Sequence, residues 1–260
     1  MGLHNRTFLL LGGTGGIGQA LIGPLVACGA QVIVATRHPE RPEKRNGVLP
    51  VFLDLASPDL DRQLQQLSEQ YPDIDGVIHC AGQNRFAALD AMTVNELDAL
   101  LTVNLRSAML IARHFSPRFR KANAGTLVFV GSTFGSIGYP GYTAYCASKF
   151  GLRGFSEALH RELADTPVQV VYVAPRATAT AMNSEPVNEL NRALGNATDT
   201  PDQVAAQILQ AMEKGRPRSF LGWPEKLFVV INGILPKIVD KSMLKQLPVI
   251  RRFLNSSSAK

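Results

Sequence analysis

The chain has 260 residues, 45% of them apolar, a mean hydropathy of +0.03 and a net charge of +6. That is chain enough for one large α/β domain with a sizeable core, and no run reaches the roughly 18 apolar residues that a membrane span needs. Cys28, Cys80 and Cys146 are dispersed and form neither a CxxC pair nor a Cys/His cluster, which argues against a disulfide framework and a metal site and for a reducing, cytoplasmic compartment.

The first apolar run, Phe8 to Leu11, is too short for a signal peptide. With Thr7 it reads as a strand, which enters Gly12-Gly13-Thr14-Gly15-Gly16-Ile17-Gly18 and then a helix over Ile17–Cys28, closed by Gly29. Glycines let the backbone approach a ligand, and a helix N-terminus offers free N–H groups to a phosphate. A strand–glycine turn–helix at the start of an alternating chain therefore predicts a dinucleotide cradle built by Gly12, Thr14, Gly15, Gly16, Ile17 and Gly18. A second strand, Gln31–Thr36, ends in Thr36-Arg37. A carboxylate there suits the free ribose hydroxyl of NAD, whereas a hydroxyl and a guanidinium suit the 2′-phosphate of NADP, so NADP(H) is the expected cofactor. Arg41 or Arg45 adds charge nearby.

A third strand, Val48–Leu53, leads to Asp54-Leu55. Asp54 is either an acceptor for the adenine amino group or a turn residue before the helix predicted over Asp59–Tyr71. A fourth, Gly76–Cys80, leads to His79-Cys80-Ala81-Gly82, where His79 reads as a core or wall residue and Cys80 as a small buried one. A long helix is predicted over Asn95–Lys121, a fifth strand over Thr126–Gly131, a helix over Tyr142–Ala164, a sixth strand over Val168–Ala174 and a helix over Asp202–Lys214. Residues 176–200, with Pro186 and Gly195, read as a loop with short helical pieces, suited to a lid. This alternation predicts an α/β fold: a single Rossmann-like, doubly wound parallel sheet with helices on both faces over residues 1–222, plus a C-terminal helical extension over 223–260.

Ser132 closes the fifth strand, and Tyr145 and Lys149 follow on the next helix, four residues apart and so on one face. A free phenol is a weak base at neutral pH, and a nearby ammonium lowers its pKa. Tyr145 can then exchange a proton with a carbonyl or alcohol oxygen while Ser132 hydrogen-bonds the same oxygen.

Taken with the glycine turn, these residues resemble the short-chain dehydrogenases/reductases, over about residues 6–222. The resemblance rests on the GxxxGxG turn (Gly12, Gly16, Gly18), Asn104 in Val103-Asn104-Leu105, and Ser132, Tyr145 and Lys149. It implies an NADP(H)-dependent oxidoreductase interconverting ketone or aldehyde and alcohol, with Asn104 positioning a water beside Lys149 and Thr180 contacting the nicotinamide. Cys80, Ala81, Gly82, Asn104, Tyr145, Lys149, Pro175 and Thr178 join the expected cofactor contacts, and a homodimer or homotetramer is expected. Three positions depart from the family pattern: Leu11 replaces a Thr, Cys80 an Asn, and Arg176 a Gly. Arg176 is either a surface residue or a partner for an acidic group on substrate or cofactor. These departures keep open a second class, a non-catalytic NADP-binding regulator or scaffold on the same fold.

Phe86, Leu89, Phe134, Ile137, Tyr139, Tyr142 and Met182 are expected to wall an apolar pocket for a lipophilic carbonyl. Residues 216–260 hold nine Lys/Arg against two acids, a local charge of +7, which leaves the other 215 residues at −1. With Trp223 and the apolar run Leu227–Val239, this tail has the ingredients of a peripheral membrane segment; the alternatives are a dimer contact, a flap over the pocket, or a contact for an acidic acyl-carrier protein. The body carries no basic stripe with interleaved aromatics, which argues against nucleic acid.

Overall fold

The computed structural model describes residues 2–42 and 46–258, so Arg45 lies outside the described residues. The chain runs β1 (Thr7–Leu11), α1 (Gly16–Ala27), β2 (Gln31–Thr36), β3 (Val48–Phe52), α2 (Leu60–Gln70), β4 (Ile74–His79), α3 (Val94–Leu101), α4 (Ser107–Lys121), β5 (Gly125–Val130), α5 (Thr143–Glu162), β6 (Val168–Ala174), α6 (Glu185–Ala193), α7 (Pro201–Glu213), β7 (Arg218–Phe220), α8 (Glu225–Ile234) and α9 (Pro236–Ser258). The seven strands among the described residues are all parallel, in the order β3-β2-β1-β4-β5-β6-β7.

Successive side chains of a strand point to opposite faces, and here both faces are covered. Leu9 and Leu11 of β1, with Leu127 and Phe129 of β5, meet Leu64 of α2, Phe115 of α4 and Leu152 of α5. Phe8 and Leu10, with Val128 and Val130, meet Leu21 and Leu25 of α1 and Ile208 of α7 on the other side. The apolar runs of the sequence are thus central strands of a doubly wound sheet, at about 1.5–3 kcal/mol per buried side chain.

Four local features refine or differ from the sequence reading. The predicted helix over Asn95–Lys121 starts one residue earlier, where Thr93 and Glu96 form a capping box, and is interrupted by a π-helical turn over Thr102–Arg106. The segment 176–200 contains α6, because Pro186 stands in the first helical turn, where a missing N–H costs little, and Gly195 (φ +66°) follows the helix end. The edge strand β7 has three residues, too few to leave a period in the sequence. In the tail, Pro236 starts α9 and separates it from α8.

Helices α6, α8 and α9 do not cover the sheet faces. Val187 and Leu190 of α6 and Ile250 of α9 pack with Phe86, Tyr139, Tyr142 and Cys146, and Val229 of α8 packs with Ile137 and Val239. The C-terminal hairpin therefore sits at the end of the sheet where the strands finish.

Candidate active site

Strand register brings the expected ligand segments to one edge. Leu11 pairs with Ala35 and with His79, so Gly12, Thr36 and Cys80 stand level just past the carboxyl ends of β1, β2 and β4. Gly12 has φ +83°, and a Cβ there would lie 2.6 Å from the Ala81 backbone nitrogen; a Cβ on Gly18 would collide with the Gly12 carbonyl oxygen. Only glycine lets this turn fold so tightly against the end of β4. The first turn of α1 has neither a side-chain cap nor an acidic residue. Its N-terminus is thus open to an anion, and a dinucleotide pyrophosphate fits there.

From this turn a cavity of about 630 Å³ runs along the strand ends. It is lined by Gly12, Thr14, Gly15, Gly16, Ile17 and Gly18, by Cys80 and Gly82, by Ser132, Tyr145 and Lys149, and by Pro175, Thr178 and Thr180. Thr36, Arg37, Asp54, Leu55, Ala81 and Asn104 do not line it. Arg37 is exposed beside the turn, and the Thr36 Oγ1 accepts from the His38 N–H at 3.1 Å. Asp54 forms a turn in which its Oδ1 accepts from the Ala56 N–H at 3.0 Å.

Lys149 is buried and donates from Nζ to the Val130 carbonyl oxygen at 3.1 Å; the same Nζ lies 5.8 Å from the centroid of the Tyr145 ring. Burial pulls its pKa down to about 8, so it remains largely cationic at neutral pH. The Tyr145 phenol departs from the sequence expectation. Burial pushes its pKa up to about 12, with Ser132 acting the other way. The phenol is enclosed by Phe134 and Tyr142, with ring centroids 6.4 and 5.8 Å away, and this desolvation governs the balance.

Asn104 sits in the π turn, fully buried. Its Oδ1 accepts from the Gln83 N–H at 2.7 Å, and its Nδ2 donates to the Gln83 carbonyl and to Ser148 Oγ, each at 2.9 Å. Both amide protons are thus committed to protein, tying the segment after Gly82 to the residue before Lys149. His79 is also fully buried, 2.7 Å from Ser107 Oγ. That hydroxyl donates to the Val103 carbonyl, so the imidazole Nε2–H donates to it. Burial and the nearby Lys149 pull the His79 pKa down to about 3 and keep the ring neutral. Burial pushes the Cys80 thiol up to about 12, which leaves it a poor nucleophile.

Arg176 meets acidic groups of the chain itself. Its guanidinium lies 2.7 Å from Asp199 and 3.2 Å from Glu225, and donates to the Trp223 carbonyl at 2.9 Å. One side chain thereby joins the end of β6, the approach to α7 and the start of α8. These acids raise the Arg176 pKa further.

Of the expected pocket wall, Phe134, Ile137, Tyr139, Tyr142 and Met182 line the cavity. Phe86 is buried behind Tyr142, with ring centroids 5.1 Å apart, and Leu89 is 51% exposed. Val187 and Leu190 of α6 also line the cavity, within the segment 176–200 that the sequence marked as a lid, whereas Phe228, Ile231, Val239 and Met243 of the C-terminal hairpin were not singled out as wall residues. The apolar tail was a signal, but its return to the strand ends has no local signature.

The chain belongs to the short chain dehydrogenase family, whose model matches residues 6–191. It is 31% identical over 188 residues to the 3-oxoacyl-(acyl-carrier-protein) reductase of Haemophilus influenzae, covering 69% of this chain and 77% of that protein. It is 27% identical over 241 residues to the 3-ketodihydrosphingosine reductase of Bos taurus, covering 85% of this chain and 73% of the relative. A short chain dehydrogenase from Burkholderia cenocepacia, crystallised with NADP, superposes with a TM-score of 0.82 at 23% identity, over 94% of this chain and 99% of the other. The fold class expected from the sequence, with its C-terminal helices, is the one found.

Proposed function

We propose that the chain uses NADPH to reduce a lipophilic ketone or aldehyde, with Tyr145 as the proton donor. The observation that carries this reading is the meeting of Ser132, Tyr145 and Lys149 in the cavity that begins at the open N-terminus of α1. The exposed Arg37, with no acid at the end of β2, supports NADP over NAD. The apolar side chains of α6 and the hairpin support a lipophilic substrate. The two reductase relatives are named for 3-oxo compounds, one of them an acyl chain, which supports the same substrate class.

A bound nicotinamide supplies the hydride. The Ser132 hydroxyl hydrogen-bonds the carbonyl oxygen as charge develops on it. Tyr145, kept neutral by burial, is in the form needed to give that oxygen its proton. The Lys149 ammonium lowers the energy of the phenolate left behind. Asn104 is a positioning residue that holds Gln83 and Ser148 around the lysine.

The test is NADPH oxidation with long-chain ketones and aldehydes by the protein and by Tyr145→Phe. The variant is expected to lose about 10²–10⁴-fold in kcat while NADPH affinity and melting temperature hold. Wild-type turnover by the variant sinks the reading; NADPH binding without turnover of any carbonyl returns it to a non-catalytic cofactor-binding protein.

A further inference from the structure

The hairpin of α8 and α9 has two faces. Inward, Phe228, Ile231, Val239 and Met243 line the cavity. Outward, Leu227, Val230 and Ile234 recur at i, i+3 and i+7 on α8, which aligns them along one side of the helix. They are 46%, 54% and 71% exposed. The outer side of α9 is basic: Lys237, Lys241, Lys245, Arg251 and Arg252 are all exposed, with Asp240 the one exposed acid among the described residues of that helix. Phe228 and Ile238 belong to both surfaces. Each lines the cavity, yet they remain 46% and 54% exposed, so they mark its mouth. The cavity therefore opens beside an apolar ridge flanked by cations.

We propose that this hairpin docks on an anionic membrane surface, with the ridge in the headgroup–acyl boundary and the cavity mouth turned toward the lipid, so that a lipid-dissolved carbonyl compound enters between Phe228 and Ile238. Docking itself follows from the outer face; what is delivered rests on the carbonyl-reductase reading above.

An apolar ridge beside a lysine- and arginine-rich face is the composition of a helix lying in the membrane interface. Anionic headgroups attract the bases while the boundary region takes up the apolar side chains. No helix among the described residues is long and apolar enough to cross a membrane, so the contact is peripheral. A second copy is a poorer occupant, because a two-fold contact would set this basic face against itself. A soluble acidic protein would answer the charges and leave the ridge without a partner.

The experiment is co-sedimentation of the full chain with phosphatidylcholine vesicles, with and without phosphatidylglycerol. The protein is expected to pellet with the anionic vesicles, less with the neutral ones, and less again in high salt. Leu227→Ser/Val230→Ser/Ile234→Ser, and separately Lys237→Glu/Lys241→Glu/Lys245→Glu, should each lower the bound fraction about tenfold or more. Both variants should reduce a short, water-soluble ketone at the wild-type rate, and fall behind with a long-chain ketone presented in vesicles. The proposal is overturned if the wild-type protein stays in the supernatant with both vesicles, or if the serine variant binds as well as the parent. It is also overturned if that variant dissociates a dimer in the absence of lipid, or if an acidic carrier protein binds the basic face and vesicles do not. Vesicle binding is read without substrate, so docking and reduction fail separately.

Discussion

One wall of the cavity is made of strand ends and the other of helices, and the two are held in different ways. Ser132 and the glycine turn extend from strands packed on both faces, and Lys149 is pinned to the Val130 carbonyl from a helix seated on the same sheet. The opposite wall, α6 with the α8–α9 hairpin, rests on two small clusters and on the ion pairs of Arg176, and its outer side is exposed. On the proposed function, the groups that meet the reacting atom stand on the wall held by the sheet core, and the wall that faces the substrate is the one with the smaller core behind it.

That contrast can be broken by mutation. The largest effect is expected inside the sheet wall, where Phe129 is 1% exposed and packs edge-on against Phe155. Phe129→Ala should cost about 3–5 kcal/mol in urea unfolding, against about 1–2 kcal/mol for Val229→Ala in the hairpin. Equal losses would mean that both walls are equally part of the core.

Arg176→Ala comes next. It leaves the largely buried Asp199 and Glu225 without their cation, at a cost of roughly 2–3 kcal/mol. Because Arg176 ties the hairpin to the end of β6, KM for a long-chain ketone should rise while NADPH affinity stays near its parent value. Arg176→Lys should recover part of the KM, since it keeps the charge and loses the forked contact. A variant whose defect lies in NADPH binding alone would place Arg176 on the cofactor side instead.

The smallest effect on stability concerns Lys149. Its native pKa, about 8, lies below the 10.5 of the unfolded chain. Below about pH 8 the folded protein carries a charge that burial disfavours, and stability is reduced in full. Between the two values the unfolded state holds more protons, so stability climbs with pH. Lys149→Met should therefore stabilise the protein by about 1–3 kcal/mol at pH 7 while abolishing turnover. In the parent, kcat/KM for reduction should fall above about pH 8 as the ammonium is lost, with no fall from Tyr145 until near its own value of about 12. A profile that stays flat to about pH 10 would remove Lys149's charge from the reaction.

The sequence by itself determined the βα alternation, the glycine turn, the YxxxK pair and the strand-end serine, because each is a local pattern: a two-residue or 3.6-residue period, a glycine run, a spacing of four. It also located the apolar, basic tail. Only the tertiary structure decided where that tail goes. It turned Arg176 from an unexplained cation into a clamp on Asp199 and Glu225, 23 and 49 residues away. It set the Tyr145 phenol high, because burial outweighs the hydrogen bond with Ser132, and that burial depends on side chains such as Phe134 and Tyr142 folded around the ring. It also gave bounds, Glu185–Ala193, to a short helical piece that the sequence placed only somewhere within 176–200. Periods and motifs are written in neighbouring residues; enclosure and long-range ion pairs exist only once distant segments have been folded against each other.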